Sequence, residues 1–269
     1  MTSGSKSKAQ RRQETQRRAA ERRAAERRAQ RVRIASRGSI VALLVGAVVL
    51  IVLLTTGGGT PQTPPSQKNP HLALQAIPAS LHLTTPPTEG LSSEQIPIPG
   101  TPALATLVNA ASGQTVDGIQ CQNGEQSVTH VHTHLTIFVN GKPVTVPYAI
   151  GIPGFQAQGT PNGPFVTSGS CFYWLHTHAA DGIIHIESPS LSQTFALGQF
   201  FDEWGIPLST TQVGPAKGKV TVFFASPGKK AAIYTGDPRN LPLGYHYQIQ
   251  LDVGTPVVAP LNVTKWGSL

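Results

Sequence analysis

Nine histidines occur in this chain of 269 residues. Six of them stand in two short segments. The first is an H-x-H-x-H run, His130, His132 and His134, inside HVHTHLTIFV. The second is WLHTHAADGIIHIE, with His176, His178, His185 and Glu187. Side chains alternate between faces along an extended chain. Folded as a strand, the first segment sets His130, His132, His134, Thr136 and Phe138 on one face. Val131, Thr133, Leu135, Ile137 and Val139 take the other. Imidazoles and carboxylates gathered on one surface are donors for first-row metal ions.

The second segment reads as a hairpin. Asp181-Gly182 is a type I′ turn dipeptide, and a two-residue loop there pairs Ala180 with Ile183 and Ala179 with Ile184. His178 then faces His185, and His176 faces Glu187, with opposed Cβ atoms about 4.5–5.5 Å apart. Leu175, Thr177, Ile184 and Ile186 are left on the opposite face for the core. A one-residue slip would break the pattern, so the apolar face and the turn specify the same register.

A purely structural reading competes with metal binding. A lone H-x-H is commonly a polar strand face, and facing imidazoles can hydrogen-bond water or each other. Clustered imidazoles repel when protonated, however, and packing gains little from so many of them. Metal ligation by His176, His178, His185 and Glu187 is therefore expected, joined by one or more of His130, His132 and His134. The triplet spans about 13 Å between its end histidines, so one ion cannot take all three, and a second ion is an alternative. His246 is a lesser candidate, while His71 and His82 are expected to be solvated. Zn or Cu suit this N/O donor set first, with Mn and Fe also compatible. Met1 is the only methionine, which excludes an axial-Met blue-copper site and Met-rich Cu(I) handling. The spacing does not match the cupin three-His-one-Glu motif. There is no G-x-S-x-G, no phosphate-binding Gly loop and no dinucleotide fingerprint.

Cys121 and Cys171 are the only cysteines. In an extracytoplasmic domain a disulfide is the default. Thiolate ligation is the alternative, because both lie shortly before a histidine segment.

The elements that must position these residues are mostly strands. Asn140-Gly141 follows the H-x-H-x-H run and predicts a type I′ hairpin, with 142–146 as a return strand that Pro143 confines to an edge. Further strands are expected at 219–225, 231–234 and 246–253, and one short helix over 197–204, ended by Gly205. Phe195, Phe200, Phe201 and Trp204 read as core. Gly and Pro together supply 50 residues, which argues against an all-helical chain. The expected fold class is mainly β, a small sandwich or barrel-like domain over residues 113–269 with one short helix.

Charge divides the rest. Residues 1–37 hold 13 of the 21 Lys and Arg and 3 of the 13 acids, a local net of +10, while the remainder nets −2. Residues 40–54 (IVALLVGAVVLIVLL) carry no charge, and with their neutral flanks the stretch reaches about 20 residues, enough to cross a bilayer as a helix. A cleaved signal peptide is the alternative, but the basic flank is long for one and no A-x-A follows. We expect a basic helical tail (1–37), a transmembrane helix (38–58), a Pro/Thr-rich linker (59–112) and an extracytoplasmic domain. The tail stays cytoplasmic by the positive-inside rule and contacts anionic lipid. Nucleic-acid binding is not expected of it, since it lacks aromatics for stacking.

The segments HVHTHLTIFVNGKPVTVPYAIGI, CFYWLHTHAADGIIHIE and LGQFFDEWG resemble a group of bacterial and archaeal membrane-anchored proteins with no assigned activity. The resemblance covers roughly residues 115–269. It implies a membrane-tethered outer domain. Many of those sequences have an acidic residue after HTH, where this chain has Ala179. The functional expectation is a single-pass membrane protein whose outer domain binds or senses a transition metal at the plasma membrane. A metal-dependent hydrolase or oxidoreductase with an open coordination position is the first alternative. A metal-free adhesion or assembly module, with the histidine face as partner surface, is the second.

Overall fold

The computed structural model describes residues 72–87, 90–98, 111–266 and 269. The basic tail and the apolar stretch at 40–54 lie outside the described residues. Among the described residues, no helix is long and apolar enough to cross a membrane.

The fold is mainly β. Its frame is an eight-stranded sheet built from β1 (Leu74–Gln75), β2 (Thr129–Val139), β3 (Lys142–Val144), β4 (Leu175–His176), β5 (Ile183–Ser188), β6 (Val220–Ala225), β7 (Ala232–Tyr234) and β8 (Tyr247–Val253). The strand order is β1-β7-β6-β8-β2-β5-β4, with β3 also paired to β2. The sheet is open, its ends being β1 and β4, and smaller two- and three-stranded ribbons surround it. The mainly β class with one short helix agrees with the expectation. All pairs are antiparallel except the central β8–β2 pair, which is parallel. A parallel central pair suits strands buried on both faces, and β2 is buried from His132 to Phe138.

β2 is the longest strand, and its alternation divides the molecule. Leu135 and Ile137 join Leu175, Ile184, Ile186, Leu251 and the helix aromatics in the main core. The helix α1 (Leu197–Trp204) supplies Phe200, Phe201 and Trp204, all fully buried. Each such Phe contributes about 1.5–3 kcal/mol by leaving water. Gly205, at φ 79°, ends the helix and donates its N–H to Phe201 O. Glu203 on the same helix is also buried, and burial, with Asp202 and Asp117 adding to it, raises its carboxyl well above the usual range.

The opposite face of the sheet carries the histidines. It is roofed by residues 92–96 and by the C-terminal stretch, where Ile96, Ile183, Val263 and Trp266 form a small apolar cluster. The expected Asn140-Gly141 turn is present, with φ of 50° and 75° and Val139 opposite Lys142. Its return strand stops at Val144, two residues short of the expectation.

Part of the stretch read as a linker contributes to this fold. Leu74–Gln75 adds to β7, and Leu83–Thr84 pairs in parallel with Val257–Val258. Short edge strands of this kind gain their stability from the sheet they join, so their own sequence signal is weak. Cys121 and Cys171 are joined in a disulfide, which sets aside thiolate ligation. It ties the strand Cys121–Gln122 to the start of the segment that leads into β4.

Candidate metal centre

Two strand pairings assemble the centre. β5 lies against β2 with His185 opposite His132 and Glu187 opposite His130. On its other edge β5 meets β4, with His185 opposite His176. The two histidine segments therefore share one face, a meeting that alternation within each segment left open and the strand pairing supplies.

The hairpin register differs from the expectation by two residues. His176 was expected opposite Glu187 and lies opposite His185. The Asp181-Gly182 turn is not a tight two-residue loop, because the chain beyond His176 is captured elsewhere. Thr177 N–H donates to Ile150 O, its hydroxyl donates to Pro147 O, and its carbonyl accepts from Ala149 N–H. His178 O accepts from Val166 N–H. Asp181 Oδ1 caps Ile183 N–H at 3.0 Å, an Asx-type turn in place of the type I′ turn. Because strand side chains repeat every second residue, a shift of two leaves Leu175 and His176 on their faces, while His178, beyond the end of β4, is placed by its bonds to Val166.

His176, His178, His185 and Glu187 are all buried, and one donor atom from each lies within 4.8 Å of the others. The hydrogen bonds fix the tautomers. His176 Nδ1–H donates to Tyr173 O at 2.8 Å, and His178 Nδ1–H donates to Val166 O at 2.7 Å. A carbonyl only accepts, so in each neutral ring the remaining Nε2 carries a lone pair. These two Nε2 atoms stand 3.1 Å apart. Two lone pairs facing each other at that distance repel, and no proton lies between them to share. A cation bound by both removes the conflict. Two nitrogens on one ion at about 2.0–2.1 Å would stand about 3–3.4 Å apart.

His185 completes the set. Its Nε2 lies 2.9 Å from Glu94 Oε1, which orients the ring and leaves Nδ1 facing Glu187 Oε1 at 3.5 Å. Glu187 Oε1 is also 3.8 Å from His176 Nε2. Each imidazole thus hands its second nitrogen to a carbonyl or carboxylate, the usual support of a ligating histidine. Phe165 stacks on His178 with ring centroids 5.0 Å apart, and Phe172 packs edge-on against His176. These rings form an apolar wall on one side of the cluster.

Electrostatics divide the cluster. Burial lowers the pKa of His176 well below 6.5, and the neighbouring His185 and His178 add to this. Burial likewise lowers His178, again with a contribution from His185. His132 falls to about 3, through burial first and then His185 and His130. His185 is the exception. Burial opposes its charge, but hydrogen bonds with Glu187 and Glu94 raise it to about 9. Without a metal, one imidazolium sits between two carboxylates and its neighbours stay neutral. Neutral imidazoles and ionised carboxylates are the forms that bind metal.

The other expected residues divide. His132 Nε2 is 3.1 Å from His185 Nδ1, and His130 Nε2 is 3.2 Å from Glu187 Oε1, so both border the centre. His134 does not. Its Nε2 donates to Asp181 O at 3.0 Å and its Nδ1 faces the Thr136 hydroxyl, so both nitrogens are engaged in the fold. The 13 Å reach of the triplet made this division unavoidable. His246 is stacked between Tyr245 and Trp266, outside the ligand groups. His82 is exposed, and His71 lies outside the described residues.

Glu94 was missed by sequence reasoning. It lies in the Pro-rich stretch, 91 positions before His185, and no local pattern marks it. Its Oε2 is buried with no hydrogen-bond partner among the described residues, as is Asp181 Oδ2. Buried carboxylate oxygens left unpaired beside an imidazole cluster are costly without a cation. Glu125, half exposed, adds a carboxylate oxygen 3.3 Å from His178 Nε2. The donor set, three imidazoles and a carboxylate with supporting hydrogen bonds in place, fits a first-row transition ion. Comparison of the chain with known protein families, curated proteins and solved structures finds no match in any of the three.

Proposed function

We propose that this is a single-pass membrane-anchored protein whose extracytoplasmic domain binds a transition metal ion, with a role in metal binding or sensing at the cell surface. The ligands are His176 Nε2, His178 Nε2, His185 Nδ1 and Glu187 Oε1. Zn or Cu(II) suits this set best, since imidazole nitrogen with one carboxylate matches borderline ions. The observation that carries the reading is the 3.1 Å approach of two Nε2 atoms whose partner nitrogens already donate to carbonyls. The anchor rests on the uncharged run at 40–54 behind a tail of net charge +10. Asymmetry of that kind keeps the basic side in the cytoplasm.

The test uses the full-length chain purified in detergent. After loading with Zn²⁺ and dialysis, elemental analysis should find stoichiometric metal, and loading should raise the melting temperature. Absence of retained metal together with an unchanged melting temperature for Zn²⁺ and Cu²⁺ would falsify the reading. The anchor is tested separately. A protease added outside intact cells should digest the domain and spare the tail; the reverse pattern refutes the orientation.

A further inference from the structure

We propose that the centre is dinuclear, with a second, outer ion held by His130 and His132 and joined to the inner ion through the Glu187 carboxylate. This rests on the reading of the inner set as a metal site. Cross-strand register places the outer pair there. On β2, His132 lies opposite His185 and His130 opposite Glu187. Nitrogens of His130, His132 and His185 lie within 4.8 Å of one another, a second ligand group beside the first.

Glu187 is the hinge between the groups. Its Oε1 lies 3.2 Å from His130 Nε2, 3.5 Å from His185 Nδ1 and 3.8 Å from His176 Nε2. One carboxylate thus faces imidazoles of both groups, the position of a bridging ligand. A carboxylate offers two oxygens and about four lone-pair sites, enough to serve two ions. His185 offers only Nδ1, because Glu94 holds its Nε2, so it serves one ion at a time. With both ions bound, the inner ion takes His176, His178 and His185, and the outer ion takes His130 and His132.

The two positions differ in access. The inner ligands are buried, whereas the His130 side chain is 49% exposed. The outer ion has two protein nitrogens and the shared carboxylate, and solvent fills its remaining positions. The outer position is accordingly the weaker and faster-exchanging one, and it provides a way in for metal bound for the buried set.

The experiment loads the full-length chain in detergent with Zn²⁺ or Cu²⁺, removes excess by dialysis and measures metal per chain. Two ions per chain are expected, released in two steps by a chelator, with the outer ion leaving first. The His130→Ala/His132→Ala variant should retain one. His130→Ala alone, at a half-exposed position where truncation should cost the fold little, should weaken only the first-released ion, by tenfold or more. With two Cu²⁺ bound, electron paramagnetic resonance should show magnetic coupling that the double variant lacks. One ion in the wild-type chain, or two in the double variant, overturns the dinuclear centre and leaves the inner site standing. No ion at all overturns the inner reading as well.

Discussion

His185 is where protons and metal compete. With its pKa raised to about 9 by Glu187 and Glu94 despite burial, the ring is an imidazolium at pH 7 before metal arrives. Metal needs its Nδ1 lone pair, so uptake must expel that proton. Below pH 9 the metal-free protein holds more protons than the loaded one, and affinity should rise about tenfold per pH unit up to about pH 9 and then level off. Calorimetry at pH 7 in buffers of different ionisation enthalpy should report about one proton released per inner ion. A heat that does not depend on the buffer would contradict this. Glu94 acts through His185 by orienting it. Glu94→Ala should lower metal affinity about 10–100-fold, read by competition with a chromophoric chelator. Glu94→Gln, which still offers an oxygen to His185 Nε2–H, should lose less.

At the scale of elements, the site depends on how the β4–β5 connection is held. Gly182 has φ 80°, and a Cβ there would lie 2.0 Å from Leu135 O. Its own carbonyl accepts from Leu135 N–H at 2.8 Å. This close approach brings the connection against the strand that carries His132. Gly182→Ala combines an unfavourable backbone region with a clash against backbone, and should destabilise by about 2 kcal/mol or more, measured by denaturant unfolding. Metal affinity should fall with it, because β5 then shifts relative to β2. A variant of wild-type stability and affinity would show that the close approach is not needed.

At the scale of the molecule, the disulfide closes a loop of 50 residues that contains β2 and β3 and ends just before the segment that leads into β4. The chain-entropy model gives about 4 kcal/mol for a loop of this length. Cys121→Ser/Cys171→Ser should therefore lower the melting temperature substantially when the chain is metal-free. Metal loading should recover part of the loss, since a ligand that binds only the folded form stabilises it. Differential scanning calorimetry with and without Zn²⁺ checks both effects. If metal leaves the variant's melting temperature unchanged, the coupling between site and fold is refuted.

The sequence by itself determined the mainly β character, the helix at Leu197–Trp204 with its Gly205 stop, the Asn140-Gly141 turn and the face on which each strand histidine lies. All of these are local. They follow from the two-residue strand period, from turn residues suited to positive φ, and from helix-ending glycine. Parity also protected the face of His176 when the hairpin register moved by two residues. Tertiary structure decided what depends on partners distant along the chain. It chose His132 and His130 over His134 as neighbours of the centre, because only the β2–β5 register sets which of three equivalent strand positions meets His185. It drew Thr177 away from the hairpin toward residues 147–150. It brought Glu94 to His185 across 91 positions, and it set edge strands in a Pro-rich stretch whose own pattern is too short to declare them. Spacing along a strand fixes a side chain's face; which other side chains share its pocket is fixed only when the strands pack.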